Sequence, residues 1–415
     1  MGNSLLYVRS INHIYIGKEY SLQMKTYQEL QKLLDREITA NKEEFAKLND
    51  YMALHPEPSG EEYETSKMLV NFLRSKGYTV EAPFCGFDCA FHAVYGENDH
   101  THKAAVFCEY DALPEVGHAC GHCLSGSISL LAALSLIPLQ DELDCDIHIF
   151  GSPREEIGGS KMNFAEEGYF DGFELATMVH LYNKNIIAPQ LIALDSYMYH
   201  FHGKVAHAAV NPWDGINALN ALQLMFHGMD MMRQHVKPDV RIHAVIKDGG
   251  TAANIVPDET SAEVYVRAPK WADVVEVVKK VDGCAQAGCC ATGATWDKER
   301  TAEPYYEVKP NPTGHKVLED IYEELGLETV DDLSEVFGST DAGNVSYVCP
   351  TFHPCLQVVD EDILIHTKAF AAAMTSQRAH RTLEIGAKII GYQIVRTFSD
   401  EKILAQMMQD FKNEK

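Results

Sequence analysis

The stretch Ala104-Ala105-Val106-Phe107-Cys108-Glu109-Tyr110-Asp111-Ala112-Leu113-Pro114-Glu115-Val116-Gly117-His118-Ala119-Cys120-Gly121-His122-Cys123-Leu124 opens as a strand, passes through a loop of ligand-type side chains and closes on the start of a helix. Ala104 to Tyr110 is apolar enough throughout to be a central strand covered on both faces. Leu124 to Ile137, rich in Leu, Ala and Ser, reads as a buried helix. The loop between them sits at the carboxyl end of the strand, where ligands bind in α/β sheets. The neighbouring sequence repeats this grammar. Glu29 to Met52 and Glu61 to about Lys76 have helical periodicity, the second stopped by Gly77. Tyr78 to Ala82, Ala90 to Tyr95, Asp146 to Phe150 and Leu175 to His180 are β-type runs. Strands alternating with helices predict an α/β sheet with covered faces.

From Asp195 the pattern changes. Ser196 to Phe201, Val240 to Ile246, Ser261 to Ala268 and Ala294 to Lys298 read as strands, with helices at Gly215 to Met232 and Ala272 to Gln286. The order β-α-β-β-α-β is the ferredoxin-like unit. After Pro310 a helix at Gly314 to Leu325, a Gly-rich segment at Gly338 to Asn344 and a final helix from Ala369 to Thr397 resume the first grammar. The predicted fold is α/β: a discontinuous α/β/α domain with a central, mostly parallel sheet, built from residues 1–194 and 303–415 and interrupted by a ferredoxin-like domain at 195–302.

A chain of 415 residues fits this two-domain plan, and 46% hydrophobic with 23% charged residues is the composition of a soluble globular protein. Lys+Arg 35 against Asp+Glu 60 leaves a net charge of −25. Such a field repels phosphate backbones and anionic lipid, and no local basic patch offsets it, so neither nucleic acid nor a membrane is an expected partner. The longest apolar run, Leu130 to Leu139, is interrupted by Ser135 and Pro138 and falls short of the roughly 20 residues a span needs. The 11 cysteines are an odd, irregularly spaced set in a long chain, which indicates a reducing, cytoplasmic compartment. Met1-Gly2-Asn3-Ser4-Leu5-Leu6 begins like a myristoylation signal but has Leu6 where Ser or Thr is required. Residues 1–20 form an extension to which the sequence assigns no role.

Four places carry ligand-type chemistry. In the loop Asp111 to Cys123, a Cys120 thiolate close to a helix N-terminus is stabilised by the helix dipole, and Cys120 and His122 can turn toward one cation. The plain alternative is a glycine-loosened turn with incidental His and Cys. A sharper one is redox chemistry, since Cys120-Gly121-His122-Cys123 spells the C-G-H-C of thiol-disulfide oxidoreductases; Ala119 and Leu124 are the wrong flanks for it. The second place is Glu155-Glu156 in Gly151-Ser152-Pro153-Arg154-Glu155-Glu156-Ile157-Gly158-Gly159, directly after a strand. Adjacent residues of extended backbone point opposite ways, so one carboxylate can bind metal while its neighbour faces an attacking water. His180 and His366 each close a short apolar run. Ligands drawn from such distant segments make an open, catalytic site and not a closed structural one.

These motifs, in order, resemble the metal-dependent aminoacylase/carboxypeptidase amidohydrolases of peptidase family M20, in the branch of p-aminobenzoyl-glutamate hydrolase, the indole-acetyl-amino-acid hydrolases and dipeptidase-like relatives. The resemblance runs from about His55 to Thr397 through Glu109 to Pro114, Gly117 to His122, Glu155-Glu156, Val179-His180, Gly203 to Ala209, Asn254 to Pro257, Gly338 to Asp341 and His366-Thr367. It implies that Cys120, His122, Glu156, His180 and His366 hold two divalent cations, Zn or Mn with Co or Ni as alternatives, bridged by the Cys120 sulfur. Glu155 is then the general base. The inserted domain becomes a lid through which the chain forms a homodimer or pairs with a paralogous subunit. His207 and Asn254 belong to that lid, His207 reaching the neighbouring subunit's site, and Arg267 holds a substrate carboxylate. The implied substrate is a small amide: an N-acyl amino acid, an aminobenzoyl-glutamate or a dipeptide. A catalytically weak metal-binding subunit is the competing reading. Two positions depart from the family pattern: Cys123 stands where Asp or Asn is usual, and Ala342 where relatives of this branch often carry Met, a change expected to reshape the substrate pocket.

Overall fold

The computed structural model describes residues 25–330 and 336–414; the N-terminal extension at 1–20 lies outside them. Its centre is a six-stranded sheet in the order Thr79–Glu81, Phe91–Val94, Cys145–Ser152, His102–Glu109, Leu175–Thr177, Thr351–Phe352. The last four strands run parallel and the first two form an antiparallel edge, the mostly parallel α/β plan expected. Alternation along His102–Glu109 explains why the strand is apolar throughout. Ala104, Val106 and Cys108 enter the core under the helices Tyr27–Leu54, His122–Leu136 and Gln377–Phe398, while Ala105 and Phe107 enter an aromatic cluster with Phe150, Phe164 and Phe170 on the other face.

The helix His122–Leu136 is buried nearly all round. With its continuation to Leu143 it is long and apolar enough to cross a membrane by length and composition, yet 83% of that window lies inside the protein. Its serines are satisfied locally: Ser125 Oγ donates to Val179 O at 2.7 Å and Ser127 Oγ to Cys123 O at 2.8 Å. Gly126 allows the helix to lie against the end of the central strand, because a Cβ there would stand 2.3 Å from Glu109 O. Helix and strand ends therefore converge at one level of the sheet, and the loop between them opens at the sheet's carboxyl edge.

A second apolar core gathers between Ala193 and Ala294. Here four antiparallel strands lie in the order Thr295–Arg300, Ala193–His202, Glu259–Ala268, Arg241–Asp248, with helices Ala218–Met232 and Trp271–Thr292 against one face. This is the β-α-β-β-α-β order read from the sequence. Thr260, Ala262, Val264, Val266 and Ala268 point into the core, so Glu263, Tyr265 and Arg267 point the other way.

Two elements differ from their expected form. Leu175 to His180 is split: Leu175–Thr177 joins the main sheet, while His180–Tyr182 leaves it to pair with Cys355–Gln357. The single helix expected over Ala369 to Thr397 is two, Lys368–Ala373 and Gln377–Phe398, because Ser376 caps the second by accepting from Ala379 N at 3.1 Å. A further helix, Glu401–Asn413, follows Asp400, which caps it in the same way.

Candidate metal centre and active site

His122 is the first residue of its helix, and its ring is fixed from behind. Nδ1 lies 2.8 Å from Asp111 Oδ1 and 3.2 Å from Asp111 O, which leaves Nε2 buried without a hydrogen-bond partner. A carboxylate behind an imidazole, with the far nitrogen open, is the arrangement that orients a metal-ligating histidine. Burial opposes charge on the ring, but Asp111 and Glu109 outweigh it and raise the pKa well above its ordinary value. Asp111 reaches further: its other carboxylate oxygen accepts from Ser59 Oγ and, at 3.1 Å, from Glu156 N. It thereby ties the first loop to the second.

That second loop is not extended. After the strand Cys145–Ser152, Arg154 adopts a left-handed conformation (φ 67°) and Glu155–Ile157 form one 3₁₀ turn. The two carboxylates part because of this turn and not because of strand alternation. Ligand atoms of His122, Glu155 and Glu156 lie within 4.8 Å of one another, and those of Cys120, Glu156 and His366 form a second such group. Cys120 and His122 thus fall into neighbouring groups, and the residue common to both is Glu156. Its Oε1 is buried without a hydrogen-bond partner.

His366 arrives from the C-terminal part of the chain. Its backbone N donates to Ala119 O at 2.9 Å, and its Nε2 stands 2.8 Å from Cys120 Sγ and 3.9 Å from Glu156 Oε1. The residue is held at φ 62°, a region that costs a non-glycine residue on the order of 1 kcal/mol and concentrates at functional sites. His180, at the start of its short strand, sets its ring edge-on to His122 with centroids 5.6 Å apart and stacks on His353 at 5.2 Å. Burial, then His353, depresses the His180 pKa to about 3, so the ring is a neutral imidazole, the form that ligates cations.

The thiol behaves differently from the sequence expectation. Burial first, then Glu156, pushes the Cys120 pKa well above its ordinary value despite the nearby helix N-terminus. A sulfur in this setting becomes thiolate only with a cation beside it, since coordination deprotonates a thiol outright. Cys123 is fully buried in the apolar core, its thiol pushed up by burial, and it joins none of the ligand groups found among the described residues. Both cysteines are free, and burial raises both thiols, whereas redox-active cysteines have lowered pKa values.

Cys120, Glu155, Glu156, His180 and His366 line one wall of a cleft of about 430 Å³, and Glu263, Tyr265 and Arg267 of the four-stranded sheet line the opposite wall. Arg267 therefore faces the ligand cluster. His207 and Asn254 do not line this cleft: they are exposed and lie beside each other, with Ala208 N donating to Asn254 O at 3.0 Å and His207 bridged to Ile255. Ala342 is buried in the aromatic cluster and does not line the cleft, so its side chain shapes packing and not the pocket. Sequence reading assigned no role to Asp111, Lys161, Asp341 or His353. Asp111 and Asp341 stood within the family motifs; nothing in the pattern around Lys161 or His353 marked them.

Residues 193–289 match the peptidase dimerisation domain. The Xaa-Arg dipeptidase of Mus musculus is 32% identical over 373 residues, covering 86% of each chain. The chain belongs to the M20 family. One component of the p-aminobenzoyl-glutamate hydrolase of Escherichia coli is 24% identical, over 92% of this chain and 95% of that one. A dinuclear metal-binding M20 peptidase from Bacillus subtilis superposes with a TM-score of 0.68 at 18% identity, covering 87% of this chain and 99% of that one. This M20 member is a metal-dependent hydrolase of amide bonds, with a fold shared across nearly its whole length.

Proposed function

We propose that this M20 hydrolase cleaves the amide bond of a small N-acyl amino acid, aminobenzoyl-glutamate or dipeptide, using two divalent cations held by Cys120, His122, Glu156, His180 and His366. The observation that carries the reading is the cleft itself, which is lined by Cys120, Glu155, Glu156, His180 and His366 together with Arg267, with Glu156 common to the two ligand groups. Orphaned, buried His122 Nε2 and Glu156 Oε1 fit cations, and thiolate, imidazole and carboxylate together suit Zn or Mn, with Co or Ni accepted by the same donors. Bound cations supply a Lewis acid for the carbonyl and lower the pKa of water toward about 7.

The protein's own residues do the rest. Glu155, one place before the shared ligand, takes the proton of the attacking water and passes it to the leaving nitrogen. Arg267 pairs with the carboxylate of the amino-acid half, an anchor common to the substrates named for the relatives above. His207 and Asn254 act across a dimer, reaching the partner's cleft to polarise the scissile carbonyl. An open edge strand, Arg241–Asp248, with Val245 52% and Ile246 40% exposed, supports a second copy pairing there.

A hydrolysis screen over N-acyl amino acids, aminobenzoyl-glutamate and dipeptides, run with metal-loaded protein, identifies the substrate. On that substrate Glu155→Ala is expected to lose roughly 10³-fold or more in kcat while metal content by atomic emission stays unchanged. Near-full activity in Glu155→Ala removes the assigned base.

A further inference from the structure

Around Glu155 lies a charge cluster whose other members no assigned role uses. Carboxylate oxygens of Glu109, Glu155 and Asp341 lie within 4.8 Å of one another. Three carboxylates this close cannot all stay ionised without positive charge between them. The charge is supplied by Lys161, which is 0% exposed: Nζ lies 2.7 Å from Glu109 Oε1 and donates to Asp341 Oδ1.

The same four residues tie three distant segments together. Glu109 ends the central strand, and its Oε2 is 3.5 Å from His122 Nε2. Lys161 opens the helix Lys161–Glu166 that follows the Glu155-Glu156 turn, and Asp341 comes from the returning C-terminal part. Asp341 Oδ2 accepts from the backbone N of Ser160 and of Lys161, each at 2.8 Å. Gly159 makes room for this clamp: it sits at φ 65°, and a Cβ there would stand 2.5 Å from Asp341 Oδ2. The turn that carries Glu155 is therefore held at its far end by Asp341, and Asp341 is held by Lys161.

We propose that Lys161 is a positioning residue whose ammonium is the built-in cation of the Glu109, Glu155 and Asp341 cage, holding Glu155 in register for proton transfer. The inference rests on Glu155 being the general base. A plain stabilising ion pair would need none of this placement beside the ligands.

Lys161→Ala leaves a space that a small primary amine fills, and Lys161→Met removes the charge while keeping most of the volume. With the metal-loaded variants, kcat is expected to fall roughly 100-fold with KM within about threefold of the parent, and ethylammonium is expected to restore Lys161→Ala about tenfold while leaving Lys161→Met unchanged. In metal-free protein, where no turnover is involved, ethylammonium should raise the melting midpoint of Lys161→Ala and not that of the parent, since it binds only the folded cage. Tetramethylammonium, too large and without donors, should do neither. A kcat near the parent's in folded, metal-loaded Lys161→Met overturns the proposal. Loss of the native fold in both variants with no recovery by the amine makes Lys161 purely structural and overturns it too. Glu155→Ala keeps the two readings apart: if it is inactive while Lys161→Met is active, only the Lys161 inference falls, and if Glu155→Ala is active the base assignment falls first.

Discussion

The two walls of the cleft are built on opposite physical terms. Behind the wall formed by the central sheet, Glu109, Asp111, His122 and Lys161 are all at most 1% exposed, and each is held by another charged group of the same cluster. On the wall formed by the four-stranded sheet, Glu263 pairs with the half-exposed Lys247 at 3.3 Å and the edge strand is open along most of its length. Buried charges are costly unless paired, so removing one from the first wall leaves another stranded; on the second wall water takes the place of whatever is removed. The first wall is an interdependent machine and the second a set of separable contacts. Substitutions should reveal that difference directly.

The largest effect is expected on the first wall. Cys120→Ala and His122→Ala should each lose bound metal and, with it, turnover down to background, read as metal per subunit after dialysis alongside activity. Were either variant to retain two metals per subunit, its residue would be no ligand. A smaller but more diagnostic effect comes from the inserted domain, at an exposed residue outside the cleft of its own subunit. His207→Ala should lose roughly 100-fold in kcat if its ring polarises the carbonyl. Mixing inactive His207→Ala with inactive Glu155→Ala should then recover about a quarter of the parent activity, because in a two-fold symmetric dimer one of the two sites in each mixed pair is whole. No recovery on mixing would place His207 outside its partner's site. Arg267→Ala comes next: it should cost roughly 10- to 100-fold in kcat/KM, the worth of one charge-assisted hydrogen-bond pair. An unchanged kcat/KM toward a substrate with a free carboxylate would remove Arg267 as its anchor.

What could be read from the chain divides along the same line. The strand at Ala104 to Tyr110 was legible because both its faces are covered, and that leaves an uninterrupted apolar run. The four strands of the second sheet were legible because one face is wet, and that leaves alternation. Within the site, Cys120, Glu155, Glu156, His180, His366 and Arg267 do line one cleft, as their strand-end positions suggested. Lys161 was invisible for a physical reason: its partner Asp341 lies 180 residues away, and a lone lysine after Gly159-Ser160 has the local appearance of a solvated side chain. The split of Leu175 to His180 was invisible because both halves are apolar, and only the competing partner strand Cys355–Gln357 draws His180 out of the main sheet. The dependence of Cys120 on a bound cation was equally hidden, since the helix terminus that favours a thiolate can be read from sequence and the burial that opposes it cannot.

The smallest effect separates the two regions by pH. In the first, burial depresses the pKa of His315 to about 4 and of His92 to about 4, so their folded forms are neutral. Unfolded histidine titrates near 6.5, so the unfolded chain binds these protons first, and stability present above about pH 6.5 is lost as pH falls toward 4. In the second region the sign reverses for His202, where hydrogen bonds to Asp297 and then Glu259, each 2.6 Å away, raise the pKa. Its contribution is present below pH 6.5 and fades as pH rises through the raised value. Acidification should therefore weaken the α/β body while leaving the inserted sheet's His202 pairings intact. His315 packs edge-on to Phe352 with ring centroids 5.7 Å apart, so His315→Phe keeps an aromatic ring in place and removes the titrating group. Between pH 7 and 5 the variant should lose about 2 kcal/mol less unfolding free energy than the parent, measured by denaturant titration at both values. If the two proteins lose stability equally over that interval, the buried neutral state of His315 is not what makes the body acid-sensitive.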